Sequence, residues 1–116
     1  MLTPSQQERY ARHLLLDEFG GEGQERLLAG AVRVEGTGPA ALWAARYLAA
    51  SGVGRLAIDE PSWRDELRSL GPWLTFTDAA AGRIAPRDGA TPAESAMNGA
   101  QAALDIVRQI ARDAPK

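Results

Sequence analysis

The sequence predicts an α/β domain, and three stretches carry that expectation. Val32-Arg33-Val34-Glu35 is a short strand-like run followed at once by Gly36-Thr37-Gly38. The next residues, among them Ala40, Ala41, Leu42, Trp43, Ala44, Ala45, Leu48 and Ala49, are apolar almost all round, as in a helix packed on a sheet. Gly52 and Gly54 then end that helix, and Arg55-Leu56-Ala57-Ile58-Asp59 reads as a second strand. Strand, glycine turn, helix and strand in this order make a βαβ unit. The expected architecture is a reduced Rossmann-like βαβ sheet with an N-terminal helical arm and a C-terminal amphipathic helix, one domain over residues 1–116.

Element by element, the chain begins with Thr3-Pro4-Ser5-Gln6, which spells a helix start. Thr3 caps, Pro4 suits the first helical position and Gln6 completes a capping box. That helix is expected to reach about Leu15, Gly20-Gly21 breaks it, and Glu22 to Ala29 forms a second short helix before Gly30, so the arm spans 1–30. The βαβ unit occupies 31–60, with strands at Ala31–Glu35 and Arg55–Asp59 and a helix over Gly36–Ala50. Residues 61–91 are irregular with short elements. Ser62 caps a helix over Trp63–Leu70, Gly71-Pro72 closes it, and Trp73–Thr77 has the aromatic and β-branched content of a strand. Asp78–Thr91 reads as loop, with a short strand at Gly82–Ala85. The closing helix spans 92–112. Ala93, Ala96, Met97, Ala100, Leu104, Val107 and Ala111 follow three-four spacing and are expected to face the core.

Composition excludes several functions. A net charge of −2 offers no basic surplus for nucleic acid. The apolar runs are short and broken by charge, so no membrane span is expected, and the start lacks the pattern of a signal peptide. A soluble, cytoplasmic protein is the expectation. With no cysteine there is no thiol nucleophile and no Cys-ligated zinc. Lys116 is the one lysine, so no internal lysine is available to hold a phosphate.

Gly36-Thr37-Gly38-Pro39-Ala40-Ala41 fits G-x-G-x-x-[G/A] after a strand and before a helix. Such glycines let the backbone turn tightly and approach a phosphate, and the helix N-terminus supplies N–H groups and partial positive charge. Asp59 follows at roughly the 20-residue distance of an acid that binds a ribose hydroxyl. Gly36, Gly38 and Asp59 are therefore the candidate nucleotide-binding residues. Against binding, Pro39 has no N–H to donate and Glu35 places negative charge beside the turn. The competing reading is that the glycine turn serves strand–helix packing alone.

The chain resembles the ThiF/MoeB/HesA family, bacterial relatives of ubiquitin-activating enzymes. The resemblance rests on Leu2-Thr3-Pro4-Ser5-Gln6 through Arg9-Tyr10-Ala11-Arg12-His13-Leu14-Leu15-Leu16, on Gly20-Gly21-Glu22-Gly23-Gln24 with Leu27, on the glycine loop, and on Tyr47-Leu48-Ala49-Ala50-Ser51-Gly52-Val53-Gly54-Arg55-Leu56. It implies adenylation, in which ATP and magnesium activate the C-terminal carboxylate of a ubiquitin-like or sulfur-carrier protein. It also implies a role for Arg12, matching an arginine that reaches a partner subunit's nucleotide. Departures are equally specific. Pro39 and Ala41 stand where the family has glycines, and Pro61-Ser62-Trp63-Arg64-Asp65-Glu66-Leu67 replaces its S-N-L-x-R-Q segment. The family's lysine, a later magnesium-positioning aspartate and its cysteines find no match.

His13 stands without other ligand types at metal-site spacing, and the serines lack a histidine partner, so neither a metal site nor a serine hydrolase is expected. Asp59-Glu60 and Asp65-Glu66 are acidic pairs that solvent or a metal would suit, and Trp43, Trp63 and Trp73 are candidates for an interface or for core. The expected function is a degenerate, non-catalytic homologue acting as a protein-binding or scaffold subunit, as a homodimer or beside a full-length relative. The alternative is an ATP-binding adenylyltransferase.

Overall fold

The structure is a computed structural model and describes residues 22–112. The expected arm helix up to Leu15, with Arg12 and His13, lies outside the described residues. Residues 22–29 form helix α1. Then follow β1 (Ala31–Val34), α2 (Pro39–Ser51), β2 (Arg55–Ile58), a 3₁₀ turn (Pro61–Trp63), α3 (Arg64–Leu70), β3 (Thr75–Phe76), β4 (Gly82–Ile84) and α4 (Pro92–Arg112). The four strands make one parallel sheet in the order β3-β2-β1-β4. The expected α/β class and the reduced Rossmann-like sheet are therefore what the chain forms.

Strand register divides the sheet into two faces. Val32 pairs with Leu56, Val34 with Ile58, Leu56 with Phe76 and Val34 with Ile84. Side chains alternate along a strand, so these residues share one face, and they join the hydrophobic core. Leu48 of α2, Leu67 of α3 and Val107 of α4 are fully or almost fully buried in the same core, with Leu27 of α1. The other face carries Arg33, Arg55, Ala57 and Arg83 by the same alternation. α1 sits at the start of the strands, where Gly54 N–H donates to Leu27 C=O and Arg26 reaches the Ala111 carbonyl at the end of α4. A Cβ on Gly54 would run into the backbone of Leu28, so glycine is needed for this close approach.

The link from β3 to β4 is short for what it spans. Phe76 and Gly82 both lie level with Leu56 and Val32, on opposite edges of the sheet. Three strand spacings are about 14 Å, and the six chain steps between these residues extend to about 20 Å. Residues 77–81 therefore cross the sheet with little slack, bending at Asp78 and Ala81.

The structure corrects two expectations. The buried stripe of α4 is Ser95, Gly99, Ala103, Val107 and Ala111, whereas Met97 and Ala93 are exposed. The cause is close packing of α4 on α2. A Cβ on Gly99 would collide with the Ala40 carbonyl, so the smallest residues, spaced by four, take the interface. The second correction concerns the start of the third helical segment. Ser62 does not cap it: Glu60 caps the 3₁₀ turn that precedes α3, its carboxylate accepting from the Ser62 N–H, and α3 itself starts at Arg64 with no side-chain cap.

Candidate functional site

The glycine turn joins β1 to α2 at the carboxyl end of the sheet, between the two central connections. Gly36 has φ +108°, a left-handed conformation that a side chain would strain. Its N–H donates to Asp59 Oδ2 at 2.8 Å, and the Arg33 guanidinium donates to Asp59 Oδ1. Asp59 thus ties the end of β2 to the turn and pairs with a cation of β1. Two predicted site residues, Gly36 and Asp59, are brought together, with the carboxylate on the turn's own backbone.

Gly38 is the cap of α2 and has no side chain to satisfy the helix end. Pro39, the first helical residue, has no N–H, and the first turn holds no acid of its own. The Ala40 N–H is the next donor, and it donates to Asp88 Oδ1 at 2.9 Å. The other oxygen of that carboxylate lies against Gly38, where a Cβ would collide with it. An anion therefore does stand at the amino end of α2, and it comes from the β4–α4 loop. The bare backbone of Gly38 makes room for this carboxylate, in the way such glycines make room for a phosphate.

Asp88 is held from both sides by α4. The Arg87 carbonyl accepts from Asn98 Nδ2 at 2.8 Å, and Gly89 N–H donates to Ser95 Oγ at 2.9 Å. The helix start adds two further bonds. Glu94 N–H donates to Thr91 Oγ1 at 3.1 Å, and the Glu94 carboxylate accepts from Ala90 N–H at 2.7 Å. A capping network of this kind fixes the direction of the entering chain. Nothing in the local sequence says where the Asp88 side chain goes. The readable signal was limited to Thr91-Pro92-Ala93-Glu94, a capping box that makes the preceding residues rigid.

Neighbouring charges are paired. Glu35 forms an ion pair with Arg83, Nε to Oε1 3.0 Å, and Glu66 accepts from Arg46 at 2.7 Å. Both acidic pairs named from the sequence have structural partners: Asp59 and Glu60 cap backbone, and Glu66 joins α3 to α2. Among the described residues no three metal-ligating side chains cluster. The tryptophans occupy different settings. Trp63 packs on the core, Trp43 lies against Tyr47 with the Arg46 guanidinium over its ring, and Trp73 is 68% exposed. No helix among the described residues is long and apolar enough to cross a membrane.

No family model matches the chain. Individual relatives do. It is 49% identical over 57 residues to the SAMP-activating enzyme E1 of Haloferax volcanii, which covers 49% of this chain and 21% of that protein. It is 47% identical over 57 residues to the heterocyst protein HesA of Trichormus variabilis, again 49% of this chain and 21% of the relative. A longer match, 39% identical over 105 residues, is to the adenylyltransferase and sulfurtransferase MOCS3 of Mus musculus, covering 90% of this chain and 22% of that protein. The chain spans about a fifth of the length of these relatives.

Proposed function

We propose that this homologue of ThiF/MoeB-type activating enzymes is a non-adenylating, cytoplasmic, protein-binding or scaffold subunit. It works as a homodimer or beside a full-length relative, or on a ubiquitin-like or sulfur-carrier protein. The observation that carries the reading is the Asp88 carboxylate on the Ala40 N–H. A nucleotide phosphate needs that helix end, and there it meets a like charge on a rigid loop. At about 4 Å the repulsion is about 1 kcal/mol in water and about 4 kcal/mol at a partly buried site, or roughly 5-fold to 1000-fold in affinity. Pro39 removes another donor from the same end. Adenylation depends on stabilising charge that develops on phosphate, and the carboxylate opposes it.

The second reading is an ATP-binding adenylyltransferase using magnesium. It is favoured by the left-handed Gly36 with Asp59 beside it. Calorimetric titration with ATP, ADP and NAD, with and without magnesium, separates the two. The scaffold reading expects no saturable binding at millimolar nucleotide by the natural chain. Saturable magnesium-dependent ATP binding, with ATP–pyrophosphate exchange on a carrier protein, would establish the second reading instead. Asp88→Ala is the informative variant, because Gly38→Asp would collide with Asp88 whether or not a nucleotide binds. Mixing with a full-length relative tests the arm. If the arm lends Arg12 to that relative, its ATP turnover changes with the natural chain and not with Arg12→Ala.

A further inference from the structure

The β3 edge holds a groove of about 420 Å³ that the function above does not use. Arg64, Arg68, Phe76, Thr77 and Asp78 line it. Both guanidinium groups lie over the Phe76 ring, at 5.3 Å and 5.2 Å from its centroid. Arg64 makes no ion pair among the described residues, and Arg68 reaches only Asp65, at 3.8 Å on the solvent side. Arg64 also opens α3, where the helix dipole disfavours a cation. Stacking on one ring holds the two like charges side by side in a fixed place.

Among the described residues the backbone next to these cations is unpaired on one side, since β3 pairs there with β2 alone. Thr75 and Thr77 send their N–H groups to Gly54 and Leu56 of the β2 side. Alternation turns the N–H and C=O of Phe76 outward, into the groove. An edge strand with free backbone groups is a template for a further strand.

We propose that this groove takes an extended, acidic segment of a partner protein, which adds a strand beside β3 and sets carboxylates on Arg64 and Arg68. Charge selects the occupant. A second copy joined edge to edge across a two-fold would set Arg64 and Arg68 against their own images. A nucleic acid needs a longer row of cations than two. An acidic strand supplies both missing partners, the backbone pairing and the countercharge. Arginine suits this task because its planar fork matches a carboxylate.

The test is fluorescence anisotropy of the full chain with a labelled short peptide that alternates glutamate with valine. Controls are the lysine–valine peptide, the glutamate peptide N-methylated at alternate residues, and a short oligothymidylate. Saturable binding of the glutamate peptide below about 1 mM is expected. Arg64→Gln with Arg68→Gln, which keeps side-chain bulk over Phe76, is expected to weaken it at least tenfold. N-methylation does the same, and the lysine peptide and oligothymidylate bind at least tenfold more weakly. A charge-reversed pair, Arg64→Glu with Arg68→Glu, then prefers the lysine peptide. Unchanged affinity in the glutamine variant, equal binding of the N-methylated peptide, tighter binding of the oligonucleotide, or no saturation would each overturn the proposal. The titration contains no nucleotide, so its result is independent of the glycine loop.

Discussion

At the β1–β4 side of the sheet the chain brings its own carboxylate to a helix end. At the β3 edge it stacks two guanidinium groups on one ring, and among the described residues Arg64 has no ion pair. The first lies at the carboxyl end of a parallel sheet, where ligands bind in open α/β folds, and the second lies along the sheet's β3 edge. The first is made of backbone donors, fixed by the turn, and any anion of the right reach satisfies them. The second is made of side chains on a short helix, held over the Phe76 ring. The comparison teaches that a glycine turn reports geometry and not occupancy. Occupancy depends on residues far along the chain.

The strongest way to break this contrast is to move α4, which carries the Asp88 loop. Gly99→Val forces a side chain into the Ala40 carbonyl, and a loss of about 3 kcal/mol or more is expected in urea unfolding. A loss below 1 kcal/mol would mean that α4 slides freely and does not hold Asp88 in place. Leu48→Ala, in the core shared by both regions, should cost about 3 kcal/mol by the same measurement and leave peptide binding at β3 unchanged. Asp88→Ala sharpens the contrast directly. It removes a cap and should cost about 1 kcal/mol. In this variant inorganic phosphate or sulfate should raise the melting temperature, and in the natural chain it should not. Equal salt responses would show that the carboxylate does not hold the anion position. The smallest effect is expected for Arg33→Ala. Its pair with Asp59 is about one-third exposed on each side, so about 0.5 kcal/mol is at stake. A change much larger than that would mean the pair holds the glycine turn in shape.

The legible part of the fold was that set by local pattern. β1, α2 and β2 could be read because a glycine turn separates a strand from an evenly apolar helix. The strands lie within one residue of their expected limits, and α2 begins three residues later than expected, after the turn at Gly36–Gly38. α4 was readable as a helix, but its inward face was not. Three-four spacing of apolar residues picked out Met97 and Leu104 along with Val107 and Ala111, while contact with α2 selects for smallness at Gly99 and Ala103. β4 was discernible only as a short strand within an expected loop, and its place beside β1 depends on a short link that crosses the sheet. For the site, Gly36 and Asp59 were found by spacing, and the structure joins them. Asp88 was missed because its partner, the Ala40 N–H, is 48 residues away and no motif couples the two. The arginines at Phe76 were missed although α3 lies only four residues before β3, because no motif marks two arginines that meet over one ring.

The separation between Ala40 and Asp88 also sets an order of events during synthesis. The two residues are 48 apart, so α2 emerges about 2 to 10 s before its cap exists. Through that interval the helix end is open to water and to whatever free anion the surroundings supply. Once β4 and the start of α4 have docked, the tethered carboxylate acts at an effective concentration of about millimolar or more, and a dilute competitor is expelled. The ribosome-bound nascent chain is thus a form of this protein with a vacant anion seat, and completion of the chain closes it.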